Sequence, residues 1–327
     1  MPIRILSDDV ASQIAAGEVV ERPASVVKEL LENALDAGAS QIVIRVEQAG
    51  RGLIEVSDDG CGISPAELIM AVGRHATSKL TSAEDLFHIQ TLGFRGEALA
   101  SIASVSRFTL ISRQSTAAGG ARINVDGGRV GDVVAMGAAV GTLVRVEDLF
   151  FNVPARLKFL KQDSTERQQI DGLVTRYALA YPHVRFQLSH DGKSVLHTTG
   201  SGNRREVLAH LYGVDTSRQM LEVVQEEDDF RLSGFTSPVA LTRSNRREIT
   251  FFINGRWVQD IALTSALVQA YHTYLMIGRY PLAALFIHLP PEEVDVNVHP
   301  AKSEVRFRHP DLIFSAVQRG VRRALLA

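Results

Sequence analysis

The sequence predicts a two-domain protein of the α/β class, in an α+β arrangement that mixes helices and strands without regular alternation. Three observations carry this. The chain has 327 residues, and at about 150 residues per domain that is roughly two domains. Apolar residues switch repeatedly between helical spacing and strand alternation. Consecutive strand patterns often follow one another with no helical stretch between them, which argues against repeated βαβ units.

Taken in order, Pro23 to Ala37 reads as a helix, with Pro suited to the first turn and Gly38 as a stop. Val26, Val27, Leu30, Leu31, Ala34 and Leu35 give it one apolar face. Gln41 to Val46 and Leu53 to Val56 alternate as strands, a turn follows at Asp58 to Gly62, and Pro65 opens another helix. Leu99 to Val105 reads as a helix, and Phe108 to Ser112, Ala121 to Val125 and Gly141 to Val146 read as strands. The Gly, Ser and Asn cluster between Thr198 and Arg205 marks a boundary. Beyond it, Phe230 to Gly234, Glu248 to Asn254 and Leu282 to His288 read as strands, and Ile261 to Tyr274 and Asp311 to Leu326 as helices. Glu226 to Asp229 reads as a solvated acidic loop, and Arg243, Arg246 and Arg247 as a short basic one.

Composition narrows the class. Hydrophobic content of 45% and charged content of 22% are globular values, which exclude a disordered or collagen-like chain. One cysteine, Cys61, forms no internal bridge and fits a reducing compartment. Met1 to Val20 has no uninterrupted apolar core, so no signal peptide is expected, and no run reaches the length of a membrane span. The expectation is a cytoplasmic protein. Net charge is −2, and neither half is far from neutral, so nucleic-acid binding would have to come from local patches.

Four elements carry candidate chemistry. Glu29, Glu32, Asn33 and Asp36 fall along one stripe of the Pro23 helix, opposite the apolar one. Glu29 and Asn33 lie one turn apart; a carboxylate there can take a proton from water, and an amide oxygen can bind a hard cation. An amphipathic helix with a solvated acidic face has the same pattern. Asp58-Asp59-Gly60-Cys61-Gly62 puts an Asp at a strand end, able to accept from an exocyclic amine, beside two glycines where backbone can approach a ligand. A plain β-turn also explains it. Gly93-Phe94-Arg95-Gly96-Glu97-Ala98 leads into a helix N-terminus, where free backbone N–H groups suit a phosphate, although a helix cap alone needs the same glycines. Arg95 and the Arg74 to Lys79 stretch add basic and hydroxyl groups. Neither a P-loop nor a Rossmann fingerprint occurs, and one cysteine with scattered histidines makes no zinc site. Finally, arginine far outnumbers lysine, and after Lys193 the only lysine is Lys302. Its compact ammonium on a flexible stem suits a terminal phosphate; a surface lysine is the plainer reading.

The order of these elements, ending in Gly141-Thr142, resembles the nucleotide site of the gyrase, heat-shock chaperone, histidine kinase and MutL ATPase superfamily. Within it the chain is similar to the MutL family of DNA mismatch repair proteins. The likeness runs through Gln13 to Glu32 (QIAAGEVVERPASVVKELLE), Arg74 to Lys79, Leu92 to Ser101, Asp148 to Leu160 (DLFFNVPARLKFL) and Val294 to Phe307 (VDVNVHPAKSEVRF). It implies an N-terminal nucleotide-binding α/β sandwich over residues 1–200, followed by a smaller α/β domain of ribosomal S5-like fold over residues 201–327.

By this resemblance ATP and Mg²⁺ are the cofactors. Glu29 would be the general base and Asn33 the ligand to Mg²⁺. Asp58, with Gly62 beside it, would read the adenine amino group, and Thr142 would support the base-binding end. Gly93, Phe94, Arg95, Gly96, Glu97 and Ala98 would wrap the triphosphate. Arg74 to Glu97, with Thr77 and Lys79, would form a lid that orders with ATP, and Lys302 would approach the γ-phosphate and couple nucleotide state to domain angle. The family also implies an ATP-dependent homodimer and DNA binding, with Arg243, Arg246, Arg247 and Arg256 as phosphate contacts. A mismatch-recognition protein and a downstream repair nuclease or helicase would be the protein partners. Family members continue into a C-terminal dimerisation domain, so this sequence is expected to be one part of a longer protein. A non-catalytic repair scaffold with a vestigial site, or another ATPase of the superfamily, is the alternative.

Overall fold

The structure, a computed structural model, describes residues 17, 19–74, 76, 92–93, 96–227, 229–295 and 305–327. It divides into two compact units, one of residues 1–178 and 182–203, the other of residues 179–181 and 204–327.

Pro23 presets φ and lacks the N–H that a first helical turn leaves unpaired, so helix α1 spans Pro23–Asp36. Its buried face is Val26, Val27, Leu30, Leu31 and Ala34, with Glu32 buried as well. Gly38, at φ +73°, turns the chain out of the helix. In the first unit β1 (Gln41–Glu47), β2 (Leu53–Asp58), β3 (Arg107–Arg113), β4 (Gly120–Asp126), β5 (Arg129–Val130), β6 (Val134–Met136), β7 (Gly141–Glu147), β8 (Arg185–His190) and β9 (Lys193–His197) form one sheet. The order is β5-β4-β3-β7-β2-β1-β8-β9, with β6 on β4. In this sheet, among the described residues, only β1 and β8 pair in parallel. The alternation works as expected: Ile42, Ile44 and Val46 of β1, Ile54 and Val56 of β2, and Phe108 and Leu110 of β3 are buried.

The helices of this unit are α2 (Leu68–Ala71), α3 (Ala98–Ser104), α4 (Pro154–Phe159) and α5 (Asp163–Ala180), besides α1. Helix α1 lies against β2, and α3 against β3 and β4. Residues 65–67 form a turn, so the helix expected to open at Pro65 starts at Leu68. Helix α5 falls where no element was expected, yet its buried residues Ile170, Leu173, Val174, Tyr177 and Ala178 recur at helical spacing.

The second unit holds α6 (Arg204–Tyr212), α7 (Val214–Gln219), β10 (Leu221–Glu227), β11 (Phe230–Thr236), β12 (Thr242–Arg243), β13 (Ile249–Ile253), β14 (Arg256–Val258), α8 (Ile261–Ala270), β15 (Tyr280–Pro281), β16 (Ala283–His288), β17 (Val294–Asp295), β18 (Arg306–Phe307) and α9 (Pro310–Leu326). Its main sheet runs β10-β11-β16-β13-β14, with α8 packed on α9 and α9 on β10 and β11. Leu232, Phe251, Leu267, Leu285 and Val317 are among its core residues.

One expectation for this unit needs correction. The helix from Ile261 stops at Ala270 and the chain turns over residues 271–274, where Thr273 takes the left-handed φ of +79°; the Tyr271 hydroxyl is buried there against Thr236 and the carbonyl of Ser237. Glu226, Glu227 and Asp229 at the β10–β11 turn are exposed, as expected, and two of them carry surface ion pairs: Glu226 with Arg231 at 2.9 Å and Glu227 with Arg319 at 3.0 Å.

Candidate active site

The polar stripe of α1 is not a solvated face. Glu32 is 2% exposed and accepts a hydrogen bond from the Tyr177 hydroxyl of α5. Lys28 bridges the stripe, its Nζ 3.7 Å from carboxylate oxygens of both Glu29 and Glu32. Glu29 and Asn33 are half-buried one turn apart, as expected. A half-buried carboxylate keeps access to water while its surroundings restrict it, which suits a proton acceptor. Among the described residues no group of three His, Cys, Asp or Glu could cage a metal ion. The Asn33 amide oxygen is instead a hard donor of the kind magnesium uses when phosphates and waters fill most of its shell, so the donor chemistry fits that ion.

The C-terminal end of α1 is stitched to the turn that follows β2. The N–H of Cys61 donates to the carbonyl of Ala37 at 3.0 Å. Asp59 accepts from the N–H groups of Ser40 and Gln41, each at 2.8 Å, and from the Ser40 hydroxyl. Partial burial pushes the Asp59 carboxyl up, but these donors outweigh it and hold it below its ordinary value. Asp58 behaves oppositely: burial raises its carboxyl to about 6, against the opposing pull of N–H groups of Gly60 and Thr142. Asp58 faces Thr142 across the β2–β7 ladder. The Thr142 hydroxyl lies 2.9 Å from Ser112, whose own hydroxyl donates to Gly141 and accepts from the N–H of Ile63 at 2.8 Å.

The glycines of this turn answer to protein backbone. A Cβ on Gly62, at φ +71°, would fall 2.2 Å from the carbonyl oxygen of Arg113, and one on Gly60 would fall 2.8 Å from that of Ala37. Close approach of β3 and of the C-terminal end of α1 by itself requires glycine at these two positions.

The glycine loop is tied at its start. The N–H groups of Leu92 and Gly93 donate to the two carboxylate oxygens of Asp36 at 2.9 and 3.1 Å. The Gly93 N–H is thus already used by the protein, contrary to the expectation that it is free for an anion. Gly96 adopts φ +61° just before α3, and Glu97 and Ala98 open that helix. Thr77, Lys79, Phe94, Arg95 and Lys302 lie outside the described residues.

The basic residues expected to meet DNA are mostly engaged. The Nε of Arg243 donates to both oxygens of Glu248, at 2.9 and 3.1 Å. Arg246 stacks 4.9 Å from the Tyr280 ring centre, and Arg256 is only 8% exposed, so it presents no charge to a duplex. Arg247 is exposed.

Sequence reasoning missed Lys28, Ser112 and Tyr177 as parts of this site, and placed Asp36 on the polar stripe without its role in holding the glycine loop. Ser112 carried a signal, a hydroxyl at an inward position after Phe108 and Leu110; Tyr177 carried none, since its partner is 145 residues away.

The sheet presents the Glu29–Asn33 helix beside the Asp58 turn, the arrangement that the resemblance to the gyrase and chaperone superfamily implies. A family model described as histidine kinase-, DNA gyrase B- and HSP90-like ATPase matches residues 21–129, and one described as DNA mismatch repair protein, C-terminal domain, matches residues 208–326. The Aquifex aeolicus MutL ATPase domain complexed with ADP is 30% identical at a TM-score of 0.66, covering 91% of this chain and 98% of that one. The chain belongs to the MutL family of DNA mismatch repair proteins. The DNA mismatch repair protein MutL of Streptococcus pneumoniae serotype 19F (strain G54) is 47% identical over 320 residues, 98% of this chain and 49% of the relative. The chain thus spans about half the length of the curated relatives it matches. The N-terminal domain of a DNA repair protein shares the fold at a TM-score of 0.82 and 24% identity, covering 97% and 98% of the two chains. Among the described residues, no helix is long and apolar enough to cross a membrane.

Proposed function

We propose that this chain is the ATP-hydrolysing switch of a mismatch repair protein. The observation that carries the reading is the pair Glu29 and Asn33, one turn apart and half-buried on a helix whose end is stitched to the Asp58 turn. Glu29 takes the proton of the attacking water as general base. Asn33 supplies an oxygen to Mg²⁺, which when bound neutralises charge on the phosphates. Asp58 accepts from the adenine amino group, supported by Thr142 and the Gly62 turn. Residues Gly93 to Ala98, with Phe94 and Arg95, wrap the phosphates. Thr77 and Lys79 lie on the lid, and Lys302 meets the γ-phosphate.

In this reading residues 1–200 bind ATP and residues 201–327 report its state. Nucleotide drives a homodimer that acts on DNA in the cytoplasm, at the nucleoid, between a mismatch-recognition protein and a downstream nuclease or helicase. The relative solved with ADP supports nucleotide binding. The test is Glu29→Ala: it should bind ATP as tightly as the parent chain but hydrolyse it about 10² to 10⁴ times more slowly. In solution, its mass should double with ATP. Ordinary turnover in that variant would remove Glu29 from the chemistry, and a mass indifferent to nucleotide would remove the dimer.

A further inference from the structure

Lys28 stands where helix geometry alone would not direct it. Adjacent helical residues diverge around the axis, so Lys28 and Glu29 do not face each other by default, whereas Lys28 and Glu32 are neighbours at i,i+4. Yet the ammonium lies 3.7 Å from both carboxylates. Glu32 explains the position. Its carboxylate is 2% exposed, and a buried anion needs both a cation and hydrogen bonds to remain charged. The Tyr177 hydroxyl, on a side chain 7% exposed, donates one hydrogen bond to Oε1, the oxygen that Lys28 also approaches. The buried pair therefore fixes one end of a chain that runs from Tyr177 through Glu32 and Lys28 to Glu29.

We propose that Glu32, clamped by Tyr177, is a positioning residue that holds Lys28 against Glu29 and so fixes the orientation of that carboxylate. The inference rests on the reading of Glu29 as the base. In this arrangement Glu32 acts through Lys28, and Lys28 through Glu29. A carboxylate held in one rotamer meets its water in one geometry, and small misplacements of a reacting group cost large factors in rate without changing how substrate binds.

The test is steady-state ATP hydrolysis by the chain carrying Lys28→Met, Lys28→Arg, Glu32→Gln, Tyr177→Phe and the Lys28→Met/Glu32→Gln pair. Glu32→Gln keeps the volume and an acceptor for Tyr177 but releases Lys28. Its kcat should fall about tenfold with KM for ATP unchanged within about twofold. Tyr177→Phe should lower kcat less, and Lys28→Arg should retain most of it. The double variant should be no slower than Lys28→Met alone, because both changes cut one chain. Independent, multiplying effects would overturn the proposal. So would full kcat in Lys28→Met, a change at a partly exposed site that leaves the buried Glu32–Tyr177 contact in place. Glu29→Gln separates the two readings. If it is inactive while Lys28→Met is normal, only the positioning role fails; if Glu29→Gln turns over normally, the base itself is misassigned.

Discussion

In the first unit Asp36 and Asp58 turn their carboxylates onto backbone N–H groups, whereas in the second Arg243 and Arg319 turn their guanidinium groups onto side-chain carboxylates, half-buried at Glu248 and exposed at Glu227. The two arrangements differ in what they do. A carboxylate bonded to main chain fixes the path of a loop, and does so in a partly buried place where its loss leaves donors unpaired. An exposed ion pair discharges two side chains against each other and leaves the backbone indifferent. Function follows the same division. Around its turn and glycine loop the first unit uses Asp36 and Asp58 to set backbone geometry, whereas Arg243 and Arg319 of the second are held in ion pairs that a phosphate backbone would have to break.

The largest effect that sharpens this contrast is expected at Asp58. Burial raises its carboxyl from 3.8 to about 6, so the folded state holds a proton more tightly than the unfolded state. The contribution of Asp58 to stability is therefore fully present below about pH 4, is lost as pH rises through about 6, and amounts to about 3 kcal/mol, at about 1.4 kcal/mol per unit. Asp58→Asn keeps the acceptor for Gly60 and removes the charge. Without nucleotide it should melt several degrees above the parent chain at pH 8 and close to it at pH 4, while losing ATP binding. Equal melting at both values would mean that the site solvates Asp58 fully.

A smaller effect is expected at Asp36. Asp36→Ala leaves the N–H groups of Leu92 and Gly93 without their acceptor, which should cost about 2 kcal/mol and weaken ATP binding about tenfold. Titration calorimetry with unchanged affinity would show that the loop holds its path unaided. The smallest is at Arg243. Arg243→Gln should change stability by less than about 1 kcal/mol, and any effect should fade with added salt. A loss of several kcal/mol there would erase the distinction between the units.

Much of the architecture was legible. Helix α1 declared itself through Pro23, Gly38 and an apolar stripe, and the β1, β2 and β3 strands through alternation. What escaped depended on partners distant in sequence. Glu32 looks like any acidic helix residue until Tyr177 arrives over it. Gly62 and Gly60 carry a signature that fits a ligand equally well, and their nearness to the backbone of Arg113 and Ala37 shows only once the chain is folded. Arg256 reads as a surface cation because its burial depends on how β14 joins β13. Helix α5 was missed because its apolar positions are interleaved with Arg167, Gln168, Gln169 and Asp171, although their spacing was there to be found.

The staple between Ala37, Ser40 and the Asp58 turn has a consequence for ligand choice. On the proposed reading, the jaw that grips the nucleobase and the jaw that meets the phosphates are mounted on one block, so the gap between them cannot stretch. Such a block works as a caliper. It gauges how long the bound molecule is, and one phosphate too few leaves a jaw closing on water.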